Sequence, residues 1–441
     1  MKKVYLPLAA SLIVGFGAMC YSAEVSASKV DSKIESQAKA IESKVIEWRR
    51  HLHQNPELSN REFKTSKYIE QHLRSLGLKV QTGVAHTGVV ALLKGAKPGP
   101  VIALRADMDG LPVKERTPVP FASKVMGEYN GKQVPVMHAC GHDTHMAILM
   151  GTAELLAGMK QELAGTIKFI FQPAEEGSPA GEEGGAELMV KQGVLKNPDV
   201  DAIFGLHIWA GMDVGTVGVK TEGIMAGVDD MKITVKGKQA HGSTPWASID
   251  PIVASAQIIN GLQTVVSRHM KLVDDPAVVT IGAIHAGVRS NIIPEELEML
   301  GTVRTFSEAD KTKTRQLITE KAKLIGQSMG AQVQVQIPYS ASYPVTYNNI
   351  ELTNQMRPTL ERVAQKVITM KPVTGAEDFS MFAQKVPGMF FFLGGKPLDT
   401  PELEAAPHHT PDFYIDESSL VYGVEVMTQV ALDYLEQAKK N

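Results

Sequence analysis

Cysteine is nearly absent from this chain, which has only Cys20 and Cys140 among its 441 residues. Two cysteines cannot form the several disulfides that hold small, core-poor secreted domains together. The fold must therefore rest on hydrophobic cores, and this length is enough for about two domains that each bury a core of their own.

An excess of charge of one sign is also lacking. Lysine and arginine number 45, aspartate and glutamate 48, and the net charge at pH 7 is −3. Proteins that bind nucleic acid or anionic membrane surfaces through charge carry a clear basic excess. We therefore expect neither of these partners.

Long hydrophobic runs are missing beyond residues 4–19. This run follows Lys2 and Lys3 and precedes small residues between positions 22 and 27, which is the layout of a secretory signal peptide. It is shorter than the ~20 apolar residues of a membrane-spanning helix. We predict a signal peptide over residues 1–27, a protein exported to the periplasm or the medium, and no permanent membrane span.

Lipid attachment at Cys20 is an alternative fate for this segment, although Met19 stands where such sites usually carry a small residue. Cleavage beyond Cys20 leaves Cys140 as the only thiol. A single thiol in an exported protein is free, reactive or metal-bound.

The densest group of reactive side chains is the stretch Met-His-Ala-Cys-Gly-His-Asp-Thr-His at residues 137–145. A thiolate and neutral imidazoles are the ligands of a soft or borderline metal, and Gly141 allows the chain to bend tightly between them. The alternative is a helix N-terminus capped by Asp143 with incidental histidines.

Apolar runs typical of buried strands alternate with helical patterns over most of the chain. Strands are predicted at residues 89–93, 101–104, 165–171, 202–206 and 389–393, and helices at 28–53, 62–76, 144–159, 349–366 and 418–437. Residues 111–136 are predicted to form a long loop. Asp107 and Asp109, then Glu175 and Glu176, then His207 each follow one of these strands, which indicates an α/β sheet with its chemistry at the strand ends.

Residues 219–339 have a different pattern. Strand, helix, strand, strand, helix and strand follow one another in the order of a ferredoxin-like domain. We predict a discontinuous catalytic domain at 28–218 and 340–441, with this second domain inserted as an α+β lid or dimerisation domain.

The chemically active residues fall into six motifs that, taken in order, resemble the amidohydrolase branch of the M20 metallopeptidases, the group of aminoacylase-like, hippurate and indole-3-acetyl-amino acid hydrolases. The resemblance covers nearly all of the chain after residue 27. Its motifs are Arg105-Ala-Asp-Met-Asp109, His138-Ala-Cys-Gly-His-Asp143, Gln172-Pro-Ala-Glu-Glu176, Gly205-Leu-His207, Gly375-Ala-Glu-Asp378 and His409-Thr-Pro-Asp-Phe413.

The resemblance implies a mixed-sheet metallohydrolase domain that binds two divalent metal ions, Zn²⁺ or Mn²⁺, with Co²⁺ and Ni²⁺ as further options. It assigns the metal ligands as Cys140, His142, Glu176, His207 and His409. A metal pair polarises the scissile carbonyl and lowers the pKa of the attacking water. Glu175 is implied as the general base that carries the water proton to the leaving amine.

Four further residues are implied to support these groups through hydrogen bonds: Asp107, Asp109, His145 and Glu377. In the wider clan a His-x-Asp pair supplies one ligand, whereas Asp107 stands here at the histidine position. This departure leaves the metal identity and the occupancy of the second metal position open.

In the inserted domain, the resemblance implies that His241 stabilises the oxyanion, often across a homodimer, and that Asn291 and Arg289 hold the substrate carboxylate. Many relatives carry a second histidine where this chain has Trp246.

The function implied is hydrolysis of an N-acyl-L-amino acid, of hippurate, N-acetyl or indoleacetyl type, to a carboxylic acid and a free amino acid. A metal-dependent dipeptidase or carboxypeptidase is an alternative. Two other classes stay open: a non-catalytic exported binding protein of the same fold, and a thiol amidase with Cys140 as nucleophile.

Overall fold

The computed structural model describes residues 29–437. The predicted signal peptide and Cys20 lie outside this range, so export, cleavage and lipidation stay predictions. Within residues 29–437, no helix is both long enough and apolar enough to cross a bilayer.

The described residues form helices and strands in the following order along the chain. The helices are α1 (Lys29–Gln54), α2 (Phe63–Ser75), α3 (His142–Gly158), α4 (Gly185–Lys191), α5 (Pro251–His269), α6 (Glu308–Ser328), α7 (Ile350–Val363), α8 (Phe379–Ala383) and α9 (Ser419–Gln437). The strands are β1 (Lys79–Val84), β2 (Gly88–Lys94), β3 (Lys97–Asp107), β4 (Met126–Tyr129), β5 (Lys132–Pro135), β6 (Ala164–Gln172), β7 (Ala202–Asp213), β8 (Thr216–Val219), β9 (Glu222–Met225), β10 (Gly227–Lys236), β11 (Ala240–His241), β12 (Val278–Ala286), β13 (Ile292–Ile293), β14 (Glu296–Thr305), β15 (Gln332–Gln336), β16 (Ser342–Tyr343), β17 (Thr346–Asn348), β18 (Lys366–Thr369) and β19 (Gly388–Lys396).

Eight strands form a mixed sheet in the order β1-β2-β6-β3-β7-β19-β8-β18. The central pairs β6/β3, β3/β7 and β7/β19 are parallel, whereas β1/β2, β2/β6 and β19/β8 are antiparallel. Helices α1, α3 and α9 pack together with the core on one face, and α4 and α8 pack on the other. This architecture confirms the predicted mixed-sheet α/β domain.

Strand β19 shows why this sheet needs helices on both faces. All nine of its residues are buried. Phe391 faces the core formed with α1, α3 and α9, and its neighbours Phe390 and Phe392 face the opposite core. Side chains alternate between the faces of a strand, and each buried phenylalanine contributes about 1.5–3 kcal/mol to stability. An apolar run of this kind is stable only in a sheet covered on both sides.

A second, antiparallel sheet forms the inserted domain, which we call the lid. Its strands lie in the order β12-β14-β10-β15, and β16 pairs with the first residues of β10. Together with α5 and α6, this is the ferredoxin-like order predicted from the sequence. Met231, Ile233 and Val235 of β10 point towards the two helices and form the core of the lid.

The two connections between the sheets lie side by side. Strand β9 leads into the lid and β17 leads out of it, and these two strands pair with each other. The buried amino group of Lys311 on α6 donates to the Tyr343 carbonyl, which ties β16 to the lid.

Two local predictions are wrong. Strand β7 does not end at His207 but continues to Asp213, because β19 pairs with it beyond the point where β3 stops. The predicted loop at 111–136 contains the hairpin β4–β5, whose short polar strands lack the apolar alternation that makes a strand recognisable.

Candidate metal centre

Cys140 and His142 lie on either side of a sharp turn between the 138–141 loop and α3. Gly141, between them, has a φ of 96°, which is strained for any residue with a Cβ. A Cβ at this position would also collide with the side chain of Ile208. The glycine therefore allows the thiol and the imidazole to point into the same space.

The other three predicted ligands come from distant parts of the chain. His207 lies in β7, Glu176 follows the end of β6, and His409 lies in the loop before α9. The backbone N–H of His409 donates to the Ala139 carbonyl at 2.8 Å, which docks that loop onto the cysteine loop.

The structure brings the side-chain ends of all five predicted ligands together. Cys140 Sγ lies 3.4 Å from His207 Nε2 and 3.2 Å from His409 Nε2. Glu176 Oε1 lies 3.0 Å from His409 Nε2 and 3.9 Å from His142 Nε2. One sulfur, three nitrogens and one carboxylate oxygen thus surround a common space.

These atoms fit a cation. His142 Nε2 is buried, yet it has no hydrogen-bond partner among the described residues. Buried polar atoms are rarely left without a partner, because the lost solvation costs about 1–3 kcal/mol per group. A bound divalent metal would satisfy this nitrogen, and the thiolate, imidazole and carboxylate set suits Zn²⁺ or a similar ion.

The hydrogen bonds of the other ring nitrogens orient two of these histidines towards the common space. His142 Nδ1 donates to the Asp109 carbonyl at 2.8 Å, and His207 Nδ1 donates to the Ile208 carbonyl at 2.6 Å. Each bond fixes the tautomer and leaves the Nε2 lone pair for a metal.

Two nearby histidines, His145 and His408, are occupied on both nitrogens. His145 Nδ1 donates to Asp107 at 2.6 Å, and its Nε2 accepts the Ile208 N–H at 2.8 Å. His408 Nε2 accepts the Ala210 N–H at 3.1 Å, while its Nδ1 lies 3.2 Å from the Cys140 carbonyl. Although His408 lies close enough to Cys140 and His207 to join a ligand group, its lone pair is already used.

Asp109 holds the strand end that carries Glu175 and Glu176. Its carboxylate accepts the backbone N–H of both glutamates at 3.0 and 3.1 Å, and the hydroxyl of Ser59 at 2.7 Å. The preceding residue, Ala174, has a φ of 54°, and its N–H donates to the buried carboxyl of Glu62. Two buried carboxyl groups thus stabilise a strained turn beside the metal ligands.

Asp107 belongs to a buried network centred on Arg105, whose side chain is fully buried. The guanidinium donates to Gln172, Asp107 and Glu377 at 2.8 Å each, and to Asp378 at 2.9 Å. Asp107 also accepts from His145, so both of its oxygens are engaged. Asp107, which stands at the histidine position of the wider clan, therefore supports the site through its hydrogen bonds with Arg105 and His145.

Glu175 lies beside the candidate metal ligands and lines the cleft, with its Oε2 3.8 Å from His142 Nε2. Burial, together with the neighbouring Glu377 and Glu176 carboxylates, raises the pKa of Glu175 well above its usual range. A carboxyl group with a raised pKa is suited to accept a proton and pass it on.

Cys140 has the opposite of an activated thiol's environment. Burial and the nearby Glu176 and Glu175 carboxylates raise the pKa of Cys140 well above its usual value. Nucleophilic cysteines have lowered pKa values and lie near positive charge. The raised pKa argues against a thiol nucleophile, and the His207 and His409 nitrogens, 3.4 and 3.2 Å from the sulfur, favour a metal ligand.

The predicted lid residues lie elsewhere. His241 is in the short β11/β13 ladder, where its Nδ1 accepts from Ser243, and Arg289 and Asn291 are exposed in the adjoining loop. In the described part of the chain, a cleft of about 600 Å³ lies over the metal-site residues, and none of these three side chains lines it.

The lid contributes other residues to the cleft, which the sequence analysis missed. They include Asp230 on β10, Arg304 on β14 and Tyr343 on β16, opposite Glu175, Glu176 and His207. Arg304 and Asp230 lie on the face of the lid sheet that α5 and α6 do not cover. The alternating pattern of β10 and β14 is the signal that could have placed them there.

Comparison with known proteins gives consistent matches. The model of "Peptidase family M20/M25/M40" matches residues 103–433. The chain is 41% identical to thermostable carboxypeptidase 2 of Saccharolobus solfataricus over 91% of its own length and 98% of that protein. It is 39% identical to an N-acetylcysteine deacetylase of Bacillus subtilis over 91% and 99% of the two chains.

A solved structure matches equally broadly. The B. subtilis YxeP protein, described as a dinuclear metal-binding peptidase of the M20 family, superposes with a TM-score of 0.76 at 38% identity, over 90% of this chain and 99% of that one.

Proposed function

The chain belongs to peptidase family M20/M25/M40 and is a metallohydrolase of amide or peptide bonds, and from that premise we propose that it hydrolyses N-acyl-L-amino acids to a carboxylic acid and a free amino acid. The observation that supports this proposal is that Arg304 lines the same cleft as the candidate metal ligands. A substrate with a free carboxylate on one side of its amide bond fits both walls.

Arg304 has donors to spare for a substrate. Its Nη1 makes one long hydrogen bond, 3.5 Å to the Thr374 carbonyl, and it forms no ion pair with any described residue. Burial lowers the pKa of Arg304, although the guanidinium stays charged. A half-buried guanidinium with free N–H groups binds a carboxylate in two-point geometry.

The chain's own residues then divide the work. Arg304 positions the substrate by its carboxylate, so that the scissile carbonyl lies beside Cys140, His142, Glu176, His207 and His409. Glu175 accepts a proton from the attacking water and delivers it to the leaving nitrogen. Bound metal ions would polarise the carbonyl and lower the pKa of the water.

We propose two divalent ions per subunit, Zn²⁺ or Mn²⁺. The Cys140 thiol favours zinc, whereas Glu176 also suits manganese. Metal analysis of the purified protein, before and after dialysis against a chelator, measures both identity and stoichiometry.

The test of function is the release of free amino acid from N-acetyl, N-benzoyl and N-indoleacetyl amino acids and from dipeptides, with and without a chelator. The same amino acids as C-terminal amides, which lack the carboxylate, are the matched control. We expect chelator-sensitive release that the amides do not support. Release that the chelator does not reduce would contradict a metallohydrolase. Equal turnover of the acids and the amides would show that Arg304 does not bind the substrate carboxylate.

We also propose that the protein is a homodimer that pairs through the lid. Strand β12 lies at the free edge of the lid sheet, and its only ionisable side chain is His285. Uncharged exposed edges readily pair with another strand. Nearby, Trp246 and Val288 expose 82% and 97% of their surface.

In such a dimer, His241 would serve the cleft of the partner subunit. Glu175→Gln and His241→Ala should each be inactive alone. Mixed after reversible dissociation, they should recover about a quarter of the wild-type rate, because half of the dimers combine the two variants and carry one intact site. No recovery, in a sample shown by ultracentrifugation to contain mixed dimers, would contradict this arrangement.

A further inference from the structure

The helix-free face of the lid sheet carries two opposite charges into the cleft. Val228 pairs with Arg304 and Asp230 pairs with Thr302 in the antiparallel β10/β14 ladder. Directly paired residues point to the same face, and so do residues two apart on one strand. Asp230 and Arg304 are thus diagonal neighbours on one face, within about 8 Å at the backbone.

These two charges form no direct ion pair with each other in the described structure. No ion pair within 4 Å joins Arg304 to any described residue, and Asp230 has none either. One oxygen of Asp230 accepts the Ser340 hydroxyl at 2.7 Å. The other oxygen has no hydrogen-bond partner among the described residues, and Asp230 lines the same cleft as Glu175 and Glu176.

The chemistry of an amino acid matches this spacing. The α-carboxylate and the side chain both branch from one carbon atom. Suppose that Arg304 holds the α-carboxylate of the substrate. A substrate side chain of three or four methylene groups that ends in a cation then reaches the Asp230 carboxylate beside the guanidinium.

We propose that Asp230 selects substrates whose amino-acid half carries a cationic side chain, such as N-acyl-lysine, N-acyl-ornithine or N-acyl-arginine. This inference rests on the proposed amidohydrolase function and on Arg304 as the carboxylate site. Asp230 acts here on specificity: it contacts the side chain of the substrate and leaves the bond-breaking groups unchanged.

The test compares kcat/KM for Nα-acetyl-L-lysine and its uncharged isostere N-acetyl-L-norleucine, in the wild type and in Asp230→Asn. Asparagine keeps the oxygen that accepts from Ser340 and removes only the charge. A charged hydrogen bond in a partly buried site changes kcat/KM by roughly ten- to a hundredfold. We expect Asp230→Asn to lower kcat/KM by this factor for the lysine substrate and by less than about threefold for norleucine.

Glu298→Gln is the matched control, because Glu298 lies on the same face of β14, pairs with Lys232 and is outside the cleft. It should leave both rates unchanged. Wild-type protein that favours norleucine, or an Asp230→Asn variant that affects both substrates equally, would overturn the proposal. The second result would make Asp230 a counter-ion of Arg304.

The outcomes separate the two levels of inference. If the wild type hydrolyses neither substrate nor any member of the acyl panel, the proposed function fails. If it hydrolyses norleucine and lysine substrates equally well, only the role of Asp230 fails.

Discussion

Replacing Arg105 with methionine tests the idea that a buried charge network holds the strand ends of the site together. Arg105 is the shared donor for Gln172, Asp107, Glu377 and Asp378, all at 2.8 to 2.9 Å. Methionine fills a similar volume and removes the charge, so three carboxyl groups lose their common partner. Breaking a buried ion pair in this way costs about 3–5 kcal/mol.

The cost should depend on pH in a defined direction. Burial already raises the pKa of Asp378 to about 8, although Arg105 opposes the shift. A carboxyl group whose pKa is higher in the folded state binds more protons there, so stability falls as pH rises from its unfolded pKa towards the folded one. Without Arg105 the pKa of Asp378 rises further, so the fall continues to higher pH. The Arg105→Met variant should therefore lose more stability at pH 8 than at pH 5.

Urea unfolding of the chelator-treated protein, followed by circular dichroism at pH 5 and pH 8, measures both quantities without interference from metal release. Arg105→Lys is the control, because it keeps the charge but cannot contact four acceptors, and its loss should be smaller. A variant as stable as the wild type, or a loss of the same size at both pH values, would refute the reasoning.

Other predictions follow from single contacts. Gly141→Ala should weaken metal binding by at least about tenfold in competition titrations, because a Cβ collides with Ile208 beside the ligands; unchanged affinity would contradict the packing. His53 lies between Asp143 and Glu115, at 2.9 and 3.0 Å. Burial and Arg49 lower the pKa of His53, but Asp143 outweighs them and raises it. The stability that charged His53 contributes is therefore fully present below about pH 6.5 and is lost as pH rises through the folded pKa. His53→Gln should thus destabilise the protein more at pH 6 than at pH 9. Equal destabilisation at both would exclude a protonated His53.

The predictable parts of this molecule are those with a local signal. The strands β3, β6 and β19 are apolar runs that only a buried sheet can hold, and the ferredoxin-like order of the lid follows from alternating patterns. The density of ligand atoms around Cys140 likewise lies within a few residues of sequence. Each of these features can be recognised without knowing what it packs against.

His409 was predicted over His408 from the resemblance alone, because the two residues are adjacent and chemically identical. Only the contacts of their ring nitrogens separate them: His408 is used by Ala210, whereas His409 Nε2 faces Cys140 and Glu176. Such contacts join segments about 200 to 270 residues apart, which a local pattern cannot encode.

Arg304 and Asp230 were missed for a related reason. On their strands they are ordinary polar residues of an alternating pattern, and any exposed sheet face would accept them. Their meaning comes from the way the lid sheet faces the metal cluster across the cleft, a relation between two domains that no single motif contains.

In the proposed mechanism Glu175 moves the proton while its neighbours hold the metals, and the direct test is Glu175→Gln. Metal content by mass spectrometry and amino acid release should be measured on the same preparation, beside the wild type. We predict unchanged metal content and a rate lower by about 10² to 10⁴. A variant that keeps its metals and hydrolyses at nearly the wild-type rate would contradict this mechanism.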